Sequence, residues 1–151
     1  VCIEDIAHSL ALQCRFAGHC RVFYSVAEHC VRVSWITREP LPGLMHDGQE
    51  SYLVDVPRPV KPYLAGYKDA ETKVMAAVSE HFGLPPMPDC VKEADDRIIA
   101  DELVNLAPMD WHARHDDPLG VRLAYWHPLL AKEKFLETYA MLREATEVRA
   151  A

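Results

Sequence analysis

The sequence predicts a single all-α domain. Apolar residues recur at helical spacing in several segments, helix-start and helix-stop residues flank those segments, and no segment alternates as a strand does. The 151 residues suffice for one domain, 1–151, that buries about two-thirds of its unfolded surface. Because 50% of the residues are hydrophobic and 26% are charged, we expect an ordinary globule.

Two helices are predicted in the first part of the chain. Ile3–Leu12 carries one apolar stripe, and Gly18 interrupts any continuation of that helix. Ser25 and Glu28 have the spacing of a capping box, in which each side chain satisfies a free backbone N–H group of the other. The helix that begins there carries His29 in its first turns.

Four more helices follow, each with its own start or stop signal. The first ends where three prolines in the run VPRPVKP impose an extended path. Gly83 is suited to end the second, Asp89 to cap the third and Pro128 to begin the last. Residues 107–127 are predicted to form an irregular loop. The predicted helices are Leu44–Leu53, Asp69–Phe82, Asp89–Leu106 and 128–148.

Composition excludes several classes of function. The formal charge of −7 argues against binding a nucleic-acid polymer, which requires a basic face. No run is long and apolar enough to span a membrane, and no signal-peptide pattern is visible, so we expect a cytoplasmic protein without a membrane partner. Five cysteines without CxxC spacing indicate reduced, buried thiols.

Four side chains form a candidate metal site. His29, the adjacent pair His46 and Asp47, and Asp95 are spread over three predicted helices, and together they offer two imidazoles and two carboxylates. Nitrogen and oxygen ligands suit a divalent ion that activates water and neutralises a phosphoryl group. The alternative is that each is an ordinary surface or structural residue; however, polar groups on apolar helices need partners. No cysteine is expected at this site.

Three neighbours extend the candidate site. On a continuous helix Glu50 lies between the directions of His46 and Asp47, one turn further on, where it is placed for acid–base chemistry. Lys92 lies three residues before Asp95 and is expected on the same face, beside the metal. Asp55 is placed to hydrogen-bond a metal-bound water, a ligand histidine or a ribose hydroxyl.

With these residues the chain resembles the HD-domain phosphohydrolase superfamily, whose signature is H…HD…D. The likeness is to the small bacterial and phage branch, which includes 5′-deoxynucleotidases and phage enzymes that remove dATP. It covers about two-thirds of the chain and fades after about Ala107. The blocks that carry it, in order, are IEDIAHSLALQCRF, FYSVAEH, LMHDGQESYLVDVPRPVK and VKEADDRI.

The resemblance implies a role for each matched residue within an HD-domain helical bundle. The metal ligands are the four residues above, and Glu50 with Asp55 takes the catalytic acidic positions. Arg15 matches an arginine that binds phosphate or sugar, and Phe16 an aromatic residue that contacts the nucleoside. The remaining matches are Pro59 near the base, and Lys61 and Lys92 near the phosphates.

The expected function is metal-dependent hydrolysis of nucleotides at the α-phosphorus. Our first expectation is a dATP-like triphosphohydrolase that releases deoxynucleoside and triphosphate; the alternative is a 5′-deoxynucleotidase acting on deoxynucleoside monophosphates. The cofactor is Co²⁺, Mn²⁺, Zn²⁺ or Mg²⁺. The resemblance also implies a homo-oligomer.

Two departures from the branch stand out, and one other class of function remains open. The segment between His29 and His46 is short, and Gly48 with Gln49 replaces the small apolar pair expected within HDxxE. The other class is a catalytically silent nucleotide-binding module that keeps the fold. Superfamily members that act on cyclic nucleotides or guanosine alarmones match the middle blocks less well.

Overall fold

The computed structural model describes residues 1–150, with side chains through residue 148. It is 64% helical, and the described residues form no β-strand, so the all-α prediction is confirmed. The helices are α1 (Ile3–Leu12), α2 (Val26–Ile36), α3 (Pro40–Met45), α4 (Glu50–Leu53), α5 (Tyr67–Phe82), α6 (Asp89–Arg97), α7 (Ile99–Glu102) and α8 (Pro128–Ala150). Short 3₁₀ turns cover Phe16–Gly18, Lys61–Tyr63, Leu103–Asn105 and Asp110–Arg114.

The main core lies where α1, α2 and α3 pack against α8. Helix α1 has the predicted bounds, and its apolar stripe is buried as expected. Phe135 of α8 is fully buried in this core, which gathers apolar side chains from the three N-terminal helices and α5. No helix of the described part of the chain is both long and apolar enough to cross a bilayer.

The N-terminus of α2 shows half of the predicted capping box. The Ser25 hydroxyl accepts a hydrogen bond from the Glu28 backbone N–H at 3.0 Å, as expected. The Glu28 carboxylate, however, accepts the backbone N–H groups of Ala124 and Trp126, each at 2.7 Å. Glu28 is fully buried and therefore fastens the 107–127 segment to α2 instead of closing the box.

The predicted helix Leu44–Leu53 is wrong. Pro40 starts α3 earlier, and α3 ends at Met45. The chain then makes a tight turn, in which the backbone N–H groups of Gly48 and Glu50 reach carbonyls only three residues back. A side chain at Gly48 would meet the Met45 carbonyl at 3.1 Å and Val78 at 3.2 Å, so this turn depends on glycine.

The remaining helices follow the predictions with local breaks. Helix α5 starts two residues early and ends at Gly83, whose φ of +62° fits the left-handed stop. Asp89 stands in the first turn of α6 and Pro88 takes the cap position, and the predicted helix breaks at Ile98. The loop 107–127 contains one 3₁₀ turn, and α8 begins at Pro128 as expected. Residue 151 of the predicted domain lies outside the described residues.

Candidate metal centre

Four side chains predicted as ligands converge on one buried point. His29 comes from α2, His46 and Asp47 from the turn after α3, and Asp95 from α6. The Nε2 atoms of the two imidazoles lie 3.3 Å apart. The Asp95 Oδ1 atom lies 3.1 Å from His29 Nε2 and 3.7 Å from His46 Nε2. The Asp47 Oδ2 atom lies 3.2 Å from His46 Nε2 and 3.8 Å from His29 Nε2.

The far nitrogens of both rings are held by atoms that only accept hydrogen bonds. His29 Nδ1 donates to the Glu102 carboxylate and His46 Nδ1 to the Gly43 carbonyl, both at 2.7 Å. Each Nδ1 atom therefore carries a proton, and the two Nε2 atoms, which face the carboxylates, are the ring atoms that can bind a metal ion. Such a set of electron-rich atoms is stabilised by a cation between them, and its composition fits a divalent metal ion.

The ionisation of the cluster agrees with that arrangement. Burial acts to raise the pKa of Asp47, but the neighbouring His46 outweighs burial and lowers it to about 2. Burial likewise opposes ionisation of Asp95, yet hydrogen bonds from His29 and His46 hold its pKa far below the ordinary value. The pKa of His46 lies well above its usual value, because Asp47 outweighs the effect of burial. Both carboxylates are therefore charged and available as ligands at neutral pH.

A cysteine also belongs to this neighbourhood, contrary to the prediction that none is well placed. Cys30 lies next to His29 and is fully buried. Its Sγ atom and ligand atoms of His46 and Asp47 all lie within 4.8 Å of one another. Burial raises the pKa of the Cys30 thiol to about 11, so the group is a neutral neighbour of the cluster at physiological pH. All five cysteines are free, but Cys30 is the one that is fully buried; the other four are exposed or partly so.

Glu50 lies beside the cluster as a buried acid, although not by the predicted helical geometry. Its carboxylate faces Lys61 Nζ at 3.5 Å, and its Oε2 atom has no hydrogen-bond partner. Burial, and then the charge of Asp47, raise the pKa of Glu50 to about 9. Glu50 therefore holds a proton at neutral pH. Lys61 is shared with Glu71, which it contacts at 2.8 Å.

Arg15 is a buried cation beside the cluster. It is 9% exposed and forms an ion pair with Glu102 at 3.0 Å. A second guanidinium nitrogen lies 3.9 Å from Asp47, and Phe16 stacks with its ring centroid 5.1 Å from the Arg15 Cζ atom. Phe16 has a φ of +54°, a strained value for a residue with a side chain. The predicted arginine thus lies against a candidate metal ligand.

Asp55 follows a strained residue and is oriented through its backbone. Val54 has φ 70° and ψ 148°, a region suited to glycine. The Asp55 N–H donates to the Gln13 Oε1 atom at 2.9 Å. Burial acts first to raise the pKa of the half-buried Asp55, with Arg15 opposing that effect. The structure does not give Asp55 a direct contact with the four converging side chains.

Lys92 and Pro59 have no direct contact with the cluster. The flexible Lys92 side chain turns back along α6 and pairs with Asp89 at 2.9 Å, and Lys92 lines the same cleft as Asp95. Pro59 is exposed. Sequence spacing places Lys92 on the helical face of Asp95 but does not choose between two acidic partners, and the roles of Lys92 and Pro59 toward a nucleotide stay predictions.

A cleft of about 750 Å³ opens from the cluster between α5 and α6. Arg15, Phe16 and Pro59 do not line it. Its lining includes the candidate ligands His46, Asp47 and Asp95 and the three lysines at positions 61, 68 and 92. Apolar side chains also line it, from Met75, Ala76, Leu84, Pro85, Pro86, Met87 and Val91.

Several residues at the candidate site were not predicted from the sequence. Glu102 joins His29 and Arg15, and its signal is a charge within the apolar run IIADELV. Gln49 lines the cleft with its Oε1 atom buried and without a partner. Arg58 contacts Asp95 and Asp96 from the proline-rich loop, and no sequence pattern points to that contact.

Comparison with known proteins gives relatives without a stated activity. No family model matches the chain. It is 46% identical over 105 residues to the uncharacterized protein YfdR of Escherichia coli K12, a stretch covering 68% of this chain and 59% of that protein. It is also 37% identical over 110 residues to the uncharacterized protein RCAP_rcc00048 of Rhodobacter capsulatus. That stretch covers 62% of this chain and 56% of that protein. The chain thus matches less than two-thirds of the length of either relative.

Proposed function

We propose that this chain is a metal-dependent phosphohydrolase of the HD-domain superfamily that acts on nucleotides. One observation carries the proposal. In the H…HD…D pattern, whose members are far apart in sequence, the two imidazole Nε2 atoms lie 3.3 Å apart, and each lies 3.1–3.8 Å from one oxygen of Asp47 and one of Asp95. Each imidazole is also fixed by an acceptor at its other nitrogen.

The chemistry follows from the residues around that point. A bound divalent ion supplies water activation and neutralises phosphoryl charge. Glu50 holds a proton at neutral pH and is the group that supplies it to the departing sugar oxygen. Lys61 lines the cleft and binds phosphoryl oxygens. The resemblance gives Arg15, which lies against Asp47, the same role, and gives Asp55 an acidic catalytic role beside Glu50.

Water adds to the α-phosphorus and the bond to the 5′ oxygen breaks. A deoxynucleoside triphosphate then gives deoxynucleoside and tripolyphosphate, and a monophosphate gives deoxynucleoside and orthophosphate. The triphosphate, with a dATP-like substrate first, is preferred because Lys61, Lys68 and Lys92 all line the cleft that contains His46, Asp47 and Asp95. The 5′-deoxynucleotidase remains the second candidate, since one catalytic centre serves both reactions.

The location and assembly proposed are a bacterial or phage-infected cytosol and a homo-oligomer. Both rest on the resemblance of the sequence blocks. The cofactor is one of Co²⁺, Mn²⁺, Zn²⁺ and Mg²⁺, which all accept imidazole and carboxylate ligands.

The test is a panel of deoxynucleoside mono- and triphosphates with each of these four ions, with the products separated by ion exchange. We expect tripolyphosphate from dATP, and loss of turnover in Glu50→Ala. The matched control is Arg97→Ala, which removes an exposed ion pair with Asp117 and should keep full activity. Orthophosphate from dAMP without tripolyphosphate from dATP would favour the nucleotidase. Negligible rates in wild type and variant alike, with every ion, would instead favour a silent binding module.

A further inference from the structure

Arg58 connects the proline-rich loop to a candidate metal ligand. Its Nη2 atom lies 2.5 Å from Asp95 Oδ2 and its Nη1 atom 2.7 Å from Asp96 Oδ1. Asp95 therefore divides its two oxygens: Oδ1 faces the imidazoles of His29 and His46, and Oδ2 is held by Arg58. The guanidinium thus holds the second oxygen of a carboxylate whose first oxygen faces the imidazoles, and the two contacts together fix its rotation.

The backbone that carries Arg58 is restricted in its own conformation. Prolines occupy the positions on both sides, 57 and 59, and each fixes its own φ angle. The same loop begins at Asp55 and leads directly to Lys61. The Arg58 side chain therefore connects α6 to a loop whose backbone is restricted and which carries Asp55 and Lys61, two of the proposed functional residues.

We propose that Arg58 is a positioning residue that couples metal binding to the order of the loop 55–61. This inference rests on the proposed function, because it takes the four-residue cluster as the metal site. A bound ion fixes Asp95 Oδ1, Asp95 Oδ2 then holds Arg58, and Arg58 holds the loop. By linkage the reverse also applies, so an ordered loop strengthens metal binding by the same factor.

The contact between Arg58 and Asp95 contributes little to folding, so a variant that lacks it should still fold. The Arg58 side chain is 55% exposed, and ion pairs exposed to that extent contribute little to the free energy of unfolding. Groups that orient a metal ligand from outside typically change metal affinity by about 10–100-fold. A structural role and a positioning role therefore predict different readouts for the same substitution.

Isothermal titration with Mn²⁺ on the substrate-free protein is the first measurement. We expect Arg58→Ala to weaken Mn²⁺ binding by roughly 10–100-fold, and Arg58→Lys to restore part of the loss, since one ammonium still reaches Asp95. The matched control is Arg97→Ala, which breaks a pair at 3.0 Å on the same helix, away from the cluster, and should leave the affinity unchanged. Asp96→Asn keeps the contact between Arg58 and Asp95 and should therefore lose less Mn²⁺ affinity than Arg58→Ala.

Hydrogen exchange of the loop 54–63 is the second measurement. Mn²⁺ should slow exchange there in the wild type but not in Arg58→Ala. Equal Mn²⁺ affinity in the two proteins, or equal slowing of the loop, overturns this inference while leaving the proposed function intact. A wild type that binds no divalent ion overturns the proposed function as well, so the two failures are distinguished by the wild-type titration alone.

Discussion

Two buried regions meet along α2, and they are built on opposite principles. On one side apolar side chains pack against α1, α3 and α8. On the other side lie buried polar atoms without partners, Glu50 Oε2, Gln49 Oε1 and Arg15 Nε, beside left-handed backbone at Phe16 and Val54. Unpaired atoms and strained backbone destabilise a fold, and they collect at functional sites. The apolar region maintains the fold, while the polar region has the unpaired atoms and strained backbone expected of the proposed ligand site.

The largest expected effect lies in the apolar region. Phe135→Ala removes a fully buried ring of α8 and should destabilise the protein by roughly 3–5 kcal/mol in urea unfolding. Mn²⁺ affinity, measured where the variant is still folded, should stay at the wild-type value. A loss of affinity in the folded variant would show that the two regions are not separable.

Glu102 tests the polar region with a smaller but double effect. Glu102→Ala leaves Arg15 without its closest partner and His29 without an acceptor, and should cost about 3 kcal/mol of unfolding free energy. Unlike Phe135→Ala, it should also weaken Mn²⁺ binding by roughly 10–100-fold. Unchanged metal affinity would mean that Glu102 has a structural role alone.

Substitution of Glu50 should raise the free energy of unfolding, in contrast to the two substitutions above. Below its ordinary pKa of 4.5 Glu50 is protonated in both the folded and the unfolded state, so its titration does not change the free energy of unfolding. Between 4.5 and about 9 the unfolded chain releases the proton while the folded protein retains it, so stability falls as pH rises. Glu50→Gln carries no titrating group and should therefore be more stable than the wild type at pH 8.5, by about 1 kcal/mol or more.

Thermal unfolding in chelator at pH 5 and pH 8.5 measures this difference. The gain in stability of Glu50→Gln over the wild type should be large at pH 8.5 and nearly vanish at pH 5. In a separate assay with metal ion, Glu50→Gln should have lost hydrolysis at both pH values. An advantage that is the same at the two pH values would contradict the raised pKa of Glu50.

The smallest expected effect is relief of strain at Val54. Val54→Gly removes a left-handed conformation that costs about 1–3 kcal/mol, against the roughly 0.5–1 kcal/mol that glycine loses in chain entropy. The variant should be slightly more stable, by about 1 kcal/mol. The matched control is Val60→Gly in the same loop, which has an ordinary φ of −89° and should be destabilised. If both variants lose stability equally, Val54 is not strained.

The parts that could be predicted from sequence were those that depend on local pattern. The bounds of α1, the stop at Gly83 and the start at Pro128 follow from apolar spacing and backbone preferences. The convergence of His29, His46, Asp47 and Asp95 was also anticipated, on residue type and resemblance.

The parts that could not be predicted depend on contacts between distant segments. The break between Met45 and Glu50 comes from a turn at Gly48 that packs on Val78. Glu102 and Arg58 reach the cluster from 73 and 37 residues away along the chain from their respective partners, His29 and Asp95. Local spacing carries no information about such contacts.

A metal site at the cluster is tested by the metal content of the purified protein after incubation with excess Mn²⁺ and removal of free ion. We expect about one ion per chain in the wild type and in Phe135→Ala, and loss of that ion in both His46→Asn and Asp95→Asn. Equal metal content in the wild type and the two ligand variants, or none in any of them, would contradict a metal site at this cluster.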